Sequence, residues 1–179
     1  METIIKLLGP YEILTNLIPG AVFYVLTPLD FHLLIKLDSV FLLLCLCYFF
    51  GLIVNRLGSL VFYPLVKKIG FIRYAPYEQF VQAEKCDPIH KLQILVTINN
   101  FYRSMCSMIL TLIFVKVYYD KFNCDNFLFV IFISNWIYWG LFFLFLFSYY
   151  KQTNFVKKRV EILQKQRIEA LFNNGIKIQ

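Results

Sequence analysis

The stretch that decides the fold is NFLFVIFISNWIYWGLFFLFLFSYY, residues Asn126–Tyr150. It runs for 25 residues without one charged side chain. A helix needs about 20 mostly apolar residues to cross the hydrocarbon core of a bilayer. This stretch therefore predicts a transmembrane helix.

Three further stretches predict membrane helices for the same reason: Ile13–Leu29, Ser39–Asn55 and a span whose uncharged part is Ser104–Val115. Pro19-Gly20 predicts a kink or a break within the first of them. The same dipeptide interrupts the first apolar run and no small-residue cleavage site follows, so we expect this run to be retained as a membrane anchor.

Composition agrees with a membrane protein. Hydrophobic residues make up 59% of the 179-residue chain and charged residues 16%, against about 45–50% and about 25% in soluble domains. So few charges also exclude disorder as the main state. The sequence predicts an all-α integral membrane protein with four transmembrane helices and amphipathic cytoplasmic helical extensions.

The chain divides into four segments. Residues 1–54 form a first transmembrane hairpin, 55–103 a cytoplasmic helical segment, 104–150 a second hairpin and 151–179 a basic amphipathic tail. Within them we expect helices that are not simple spans: Arg56–Lys68 bent by Pro64, a short helix from Ala75-Pro76 to about Lys85, a long helix from Ile89 to about Tyr119, and a tail helix over Phe155–Phe172.

Lysine and arginine placement predicts the orientation. The segments Arg56–Arg103 and Lys151–Gln179 hold seven basic residues each, whereas the loop Asp30–Asp38 holds one and Lys116–Asp125 holds two. Because basic loops stay in the cytoplasm, both rich segments and both termini are expected there.

Catalytic and metal-binding motifs are missing from the sequence. It contains no phosphate-binding glycine loop, nucleophile elbow or zinc-protease motif. The five cysteines lack zinc-ligand spacing, and Cys45 and Cys47, two residues apart on a helix, are expected to act as buried hydrophobic thiols. We therefore expect no enzyme activity, no cofactor and no metal. Acidic residues within the basic tail, Glu161 and Glu169, argue against direct nucleic-acid binding.

A candidate site lies where polar residues approach the membrane. Asn55-Arg56 end the second span, Asn99, Asn100 and Arg103 open the third, and Glu12 precedes the first. One interpretation is that the arginines set topology and reach the headgroups. The other is that these six residues form a polar cluster that lines a crevice between helices, with Glu12 paired to an arginine.

Several stretches together resemble a family of small four-span bacterial membrane proteins, some encoded among anti-phage defence genes. They are Pro10-Tyr11-Glu12 with Asn16–Gly20, Gly51–Val61, Lys67-Lys68 with Ala75-Pro76-Tyr77, and Ile98–Arg103. The resemblance covers most of the chain and implies an inner-membrane defence component. It assigns no role to any residue.

The leading functional hypothesis is a non-enzymatic, oligomeric component of a defence or stress system that senses or perturbs the membrane. Its expected partners are the lipid bilayer, further copies of the chain and a cytoplasmic protein. One alternative is a small-solute or ion transporter that uses Glu12, Arg56 or Arg103. Another is a quinone-linked thiol oxidoreductase that uses Cys45, Cys47 and Cys124.

Overall fold

The computed structural model describes residues 9–27, 39–87, 90–121 and 136–176. Every regular element in these ranges is a helix, which confirms the all-α prediction. Helix α1 comprises Pro10–Glu12, a π-helical turn Ile13–Leu17 and Ile18–Leu26. The helices that follow are α2, Val40–Lys68, with a π-helical turn at Gly58–Phe62; α3, Tyr77–Lys85; α4, Lys91–Lys121; and α5, Trp136–Ile176.

Both π-helical turns have the same local cause. Each turn is followed, two residues later, by a proline: Pro19 in α1 and Pro64 in α2. A proline ring collides with the carbonyl four residues earlier in an ordinary α-helix. The residue before each proline instead donates its N–H to the carbonyl five residues earlier, and this wider turn accommodates the ring. The interruption expected at Pro19 and the bend expected at Pro64 are therefore widened turns inside continuous helices.

Helix α2 ends at a glycine that the geometry requires. Gly70 has φ of 78°, a left-handed conformation that side-chain-bearing residues rarely adopt. Its N–H and that of Phe71 donate to the carbonyls of Lys67 and Val66 at 3.0 and 3.3 Å. The chain thus reverses, and the Phe71 ring packs 5.1 Å from the ring of Tyr150 on α5.

Helices α4 and α5 form the long axis of the molecule. Their 31 and 41 residues correspond to about 46 and about 61 Å at 1.5 Å per residue. Helix α4 agrees with the long helix expected from Ile89 to about Tyr119, and α3 agrees with the short helix after Ala75-Pro76. The tail helix expected over Phe155–Phe172 is the last part of α5, continuous with the apolar residues before it.

Three apolar clusters follow one another along α4. The first joins Met108 and Ile109 to α1 and α2. The second joins Cys106 to Tyr149 and to the end of α2. The third joins Leu92 to α3 and to the tail part of α5. The described helices therefore pack through three successive apolar clusters, from the apolar bundle to the polar extension.

Two of the described helices, Val40–Lys68 and Lys91–Tyr118, are long and apolar enough to cross a membrane, and α1 contributes a shorter apolar stretch, Ile13–Leu26. Residues 126–135 of the fourth predicted span and the loop 30–38 lie outside the described residues. The segment boundaries expected at 54/55 and 103/104 both fall inside continuous helices, α2 and α4.

Candidate functional site

A polar network joins α1, α2 and α4 inside the apolar bundle. The Asn55 amide nitrogen donates to Oδ1 of Asn16 at 2.7 Å. Its Oδ1 accepts from Nη2 of Arg103 and Oγ of Ser104, each at 3.2 Å. Asn16 and Ser104 are buried. Because a polar group among apolar side chains needs a hydrogen-bond partner, the Asn55 amide helps to fix the relative orientation of these three helices.

Glycines bring the backbones of the same helices into contact. A Cβ atom at Gly20 would collide with the backbone carbonyl of Cys47, and one at Gly51 would collide with the backbone of Asn16. A Cβ at Gly58 would lie 3.3 Å from Cβ of Ser107. Small residues at these positions permit the close approach that the Asn16–Asn55 hydrogen bond requires.

A second network ties the loop after α2 to α4 and α5. The Asn99 amide donates to Oη of Tyr74 at 2.9 Å and accepts from Oγ1 of Thr153 at 2.9 Å. The hydroxyls of Tyr74 and Tyr149 are 2.7 Å apart. Asn99, Thr153 and Tyr149 are buried, so this network holds the loop in one position.

A third contact joins the start of α4 to the tail part of α5. Asp87, with a side chain 1% exposed, accepts from Nη2 of Arg159 at 2.9 Å and from the amide of Leu92 at 2.6 Å. The Leu92 hydrogen bond, aided by the bond and charge of Arg159, lowers the pKa of Asp87 below its ordinary value although burial opposes the shift. Asp87 is thus a carboxylate that caps α4 and fastens α5 to it.

A cleft of about 810 Å³ opens where the loop after α2 meets α3, α4 and α5. The charged side chains that line it are Lys67, Arg73 and Arg103, and no Asp or Glu is found among the described lining residues. Tyr63 and Tyr77 also line the cleft, together with apolar residues such as Ile72 and Phe80. Three cations without an opposing carboxylate concentrate positive potential in a concave surface, which attracts an anion.

Arg103 lies at the end of the cleft nearest the apolar bundle, because the lining residues on α4 run from Val96 to Arg103. Its Nε is buried and lacks a hydrogen-bond partner in the described part of the chain. No described carboxylate lies within 4.0 Å of its guanidinium, since the ion pair in these ranges joins Arg159 to Asp87. Arg103 as a whole is partly buried. A buried N–H group requires a hydrogen-bond acceptor and a partly buried cation favours a counter-charge, and an anion in the cleft supplies both.

The structure brings together four of the six residues predicted as a polar cluster. Asn55 and Arg103 are hydrogen-bonded, and Asn99, Asn100 and Arg103 line the cleft.

The remaining two residues of the predicted cluster lie apart from the cleft. Glu12 accepts from Oη of Tyr48 at 3.2 Å, and no ion pair links it to Arg56 or Arg103 within the described residues. The expected pairing of Glu12 with an arginine is therefore not found. Arg56 is exposed on α2.

Sequence reasoning missed Asn16, Lys67, Arg73 and Tyr74. Asn16 carried a usable signal, because it is an amide inside an uncharged apolar stretch and such groups seek an interhelical partner. In the sequence, Lys67 and Arg73 contribute only to the excess of basic residues that predicts the orientation. Lys67 and Arg73 line the same cleft only because the chain reverses at Gly70. No local sequence pattern indicates that Tyr74 belongs to the site.

Cys45 and Cys86 are exposed and Cys47 and Cys106 are buried, all as free thiols. The expectation that Cys45 and Cys47 are both buried thus holds only for Cys47. Cys124 lies outside the described residues. Among the residues that the structure describes, no group of three His, Cys, Asp or Glu side chains could hold a metal ion.

No family model, curated protein or solved structure matches the chain. The cleft and the networks around it are therefore the basis for a functional argument.

Proposed function

We propose that this chain is a non-enzymatic protein of the bacterial inner membrane that binds an anion in the basic cleft and transmits its presence to the membrane helices. Four transmembrane helices and cytoplasmic termini belong to the proposal. Support for this topology comes from the uncharged stretch Asn126–Tyr150 and from the basic residues of the central segment and the tail.

The observation that carries the proposal is the double position of Arg103. Arg103 lines the cleft, and its guanidinium donates to Asn55, which is bonded in turn to Asn16 on α1. One side chain therefore belongs both to the candidate binding surface and to the joint between α1, α2 and α4.

This arrangement supports a simple coupling. An anion that accepts from the unpaired Nε of Arg103 draws the guanidinium toward the cleft and weakens its hydrogen bond to Asn55 Oδ1, because a charged acceptor forms the stronger hydrogen bond. Weakening that bond loosens the joint held by Asn55. A ligand that favours one packing of the helices over another shifts their populations by its difference in affinity. The π-helical turns Ile13–Leu17 and Gly58–Phe62 adjoin the joint, and such turns are common at functional sites.

The biological role that fits this design is a defence or stress component that responds at the inner membrane. Oligomerisation and a cytoplasmic partner remain part of the proposal. The exposed tail positions Phe155 and Ile162 are apolar surface available to either.

Expression in bacterial cells with a membrane-potential dye, with and without phage challenge, tests the role. The wild type is expected to depolarise the membrane or protect the culture under challenge, and Arg103→Gln to lose the response. Arg56→Gln is the matched control, because Arg56 is exposed and outside the cleft. If the wild type neither depolarises, protects nor retains a partner on purification, the proposed role is wrong.

A further inference from the structure

We infer that the anion is the phosphate-bearing headgroup of an anionic phospholipid from the cytoplasmic leaflet. This inference rests on the proposed function and names the ligand of the same cleft. The observations behind it are the depth of the cleft along α2, the apolar approach to it and the chemistry of its lining.

The depth follows from the length of α2. The helix begins at Val40, two residues after the charged Asp38. At 1.5 Å per residue, Leu60 lies about 30 Å and Lys67 about 40 Å along the axis. The hydrocarbon core is about 30 Å thick, and a bilayer with its headgroups about 40–45 Å. Each headgroup layer is therefore about 5–8 Å deep. Tyr63, which lines the cleft about 5 Å beyond the core, is at headgroup depth. Lys67, which also lines the cleft, lies about 10 Å beyond the core, and its long side chain can reach back to the headgroups.

An apolar face of α2 leads to the cleft from the membrane side. Leu60 and Leu65, which lie on either side of Tyr63 along α2, are 74% and 54% exposed. Ile69, just beyond Lys67, is 79% exposed. Exposed apolar side chains next to a basic cleft suit a ligand with both acyl chains and a charged head. A soluble phosphate compound has no acyl chain to pack against these apolar side chains.

The lining selects the headgroup by charge. Arg103 offers a planar donor set for phosphate oxygens, and Lys67 and Arg73 add two cations. A zwitterionic headgroup would bring its own ammonium group into this basic surface, whereas a net anionic headgroup does not. Tyr63 and Tyr77 line the cleft as well, and tyrosine is favoured at the membrane–water interface. Basic pockets on the cytoplasmic side of membrane helices bind anionic headgroups by these same interactions.

The test uses the full-length protein in nanodiscs of phosphatidylcholine, with and without phosphatidylglycerol, and measures retained lipid by native mass spectrometry. We expect selective retention of phosphatidylglycerol. Lys67→Gln should weaken this binding by more than about ten-fold, because it removes a hydrogen bond between charged groups as well as a surface charge. Lys68→Gln is the matched control, since it removes the same charge from the next residue, which does not line the cleft, and it should weaken binding by no more than about five-fold, the effect of one basic residue at a membrane surface.

A second arm offers inorganic phosphate to the protein in phosphatidylcholine nanodiscs. Phosphate binding that depends on Lys67, without selective lipid retention, would overturn the lipid assignment and leave the anion-sensor proposal standing. Equal loss in Lys67→Gln and Lys68→Gln would show attraction to surface charge and overturn the cleft as the site. Absence of both lipid and phosphate binding in a helical wild type would overturn the inference and the proposed function together. Circular dichroism of every variant checks that it is folded.

Discussion

Replacement of Gly51 by alanine should destabilise the protein although alanine is the better helix former. Gly51 lies on α2 opposite the backbone of Asn16, and a Cβ atom there would collide with the carbonyl group of that residue. A backbone atom cannot move aside as the end of a flexible side chain can. Helix α1 must therefore retreat from α2, and this lengthens the 2.7 Å Asn16–Asn55 hydrogen bond.

The expected net cost is about 2 to 3 kcal/mol. Overpacking costs about 1–3 kcal/mol, and the upper end applies because the obstacle is backbone. Loss of one interhelical hydrogen bond in a membrane protein adds about 0.6 kcal/mol. The intrinsic helix preference of alanine over glycine offsets about 1 kcal/mol of this destabilisation.

Unfolding in mixed micelles of rising SDS fraction, followed by circular dichroism, measures the cost. Gly140→Ala is the matched control, because Gly140 is also helical and no atom lies within 4 Å of an added Cβ. It should stabilise the protein by about 1 kcal/mol. The two substitutions should thus shift the transition in opposite directions. A shift of the same sign and size in both variants would refute the close α1–α2 packing.

Three further predictions concern charge and thiols. Asp87→Asn should cost about 3 kcal/mol in the same unfolding assay, because it leaves the partly buried Arg159 without its counter-charge, whereas the exposed Glu161→Gln should change little. The lowered pKa of Asp87 means that its contribution is complete above its unfolded pKa of about 4 and disappears as the pH falls through the lower folded value, so wild type and Asp87→Asn should converge in strong acid. Glu12→Gln keeps an acceptor for Tyr48 and should change stability by less than about 0.5 kcal/mol; loss of an ion flux in proteoliposomes would instead favour the transporter alternative. Joint replacement of Cys45, Cys47 and Cys124 by serine should preserve the cellular response, and its abolition would favour thiol chemistry.

Helix content and the long α4 were predictable because they depend on local patterns. An uncharged apolar run predicts a helix long enough to cross the bilayer, and the span from Ile89 to Tyr119 is read directly from the spacing of apolar residues. The way in which each helix accommodates its proline was less predictable. Pro19 and Pro64 indicate a disturbance, but a π-helical turn and a break both relieve the clash of the proline ring. The sequence does not show that the helices stay continuous, with Gly51 packed on Asn16 and Gly58 on Ser107.

The candidate site was only partly predictable, because it forms across elements distant in sequence. Asn55 and Arg103 are conspicuous as polar residues at span ends, and the structure joins them. Arg73 reaches the cleft only because Gly70 reverses the chain and the hydrogen bonds of Tyr74 hold the returning loop. These are long-range contacts that no sequence period specifies.

The most direct test of the coupling through Arg103 is a distance measurement between α1 and α2. Spin labels on native Cys45, exposed on α2, and on Val25→Cys, exposed on α1, report this distance by pulsed electron paramagnetic resonance once the other cysteines are replaced by serine. We predict that adding phosphatidylglycerol to phosphatidylcholine nanodiscs shifts the distance distribution, and that Arg103→Gln abolishes the shift. Identical distributions with and without the anionic lipid, in protein that demonstrably binds it, would contradict the account.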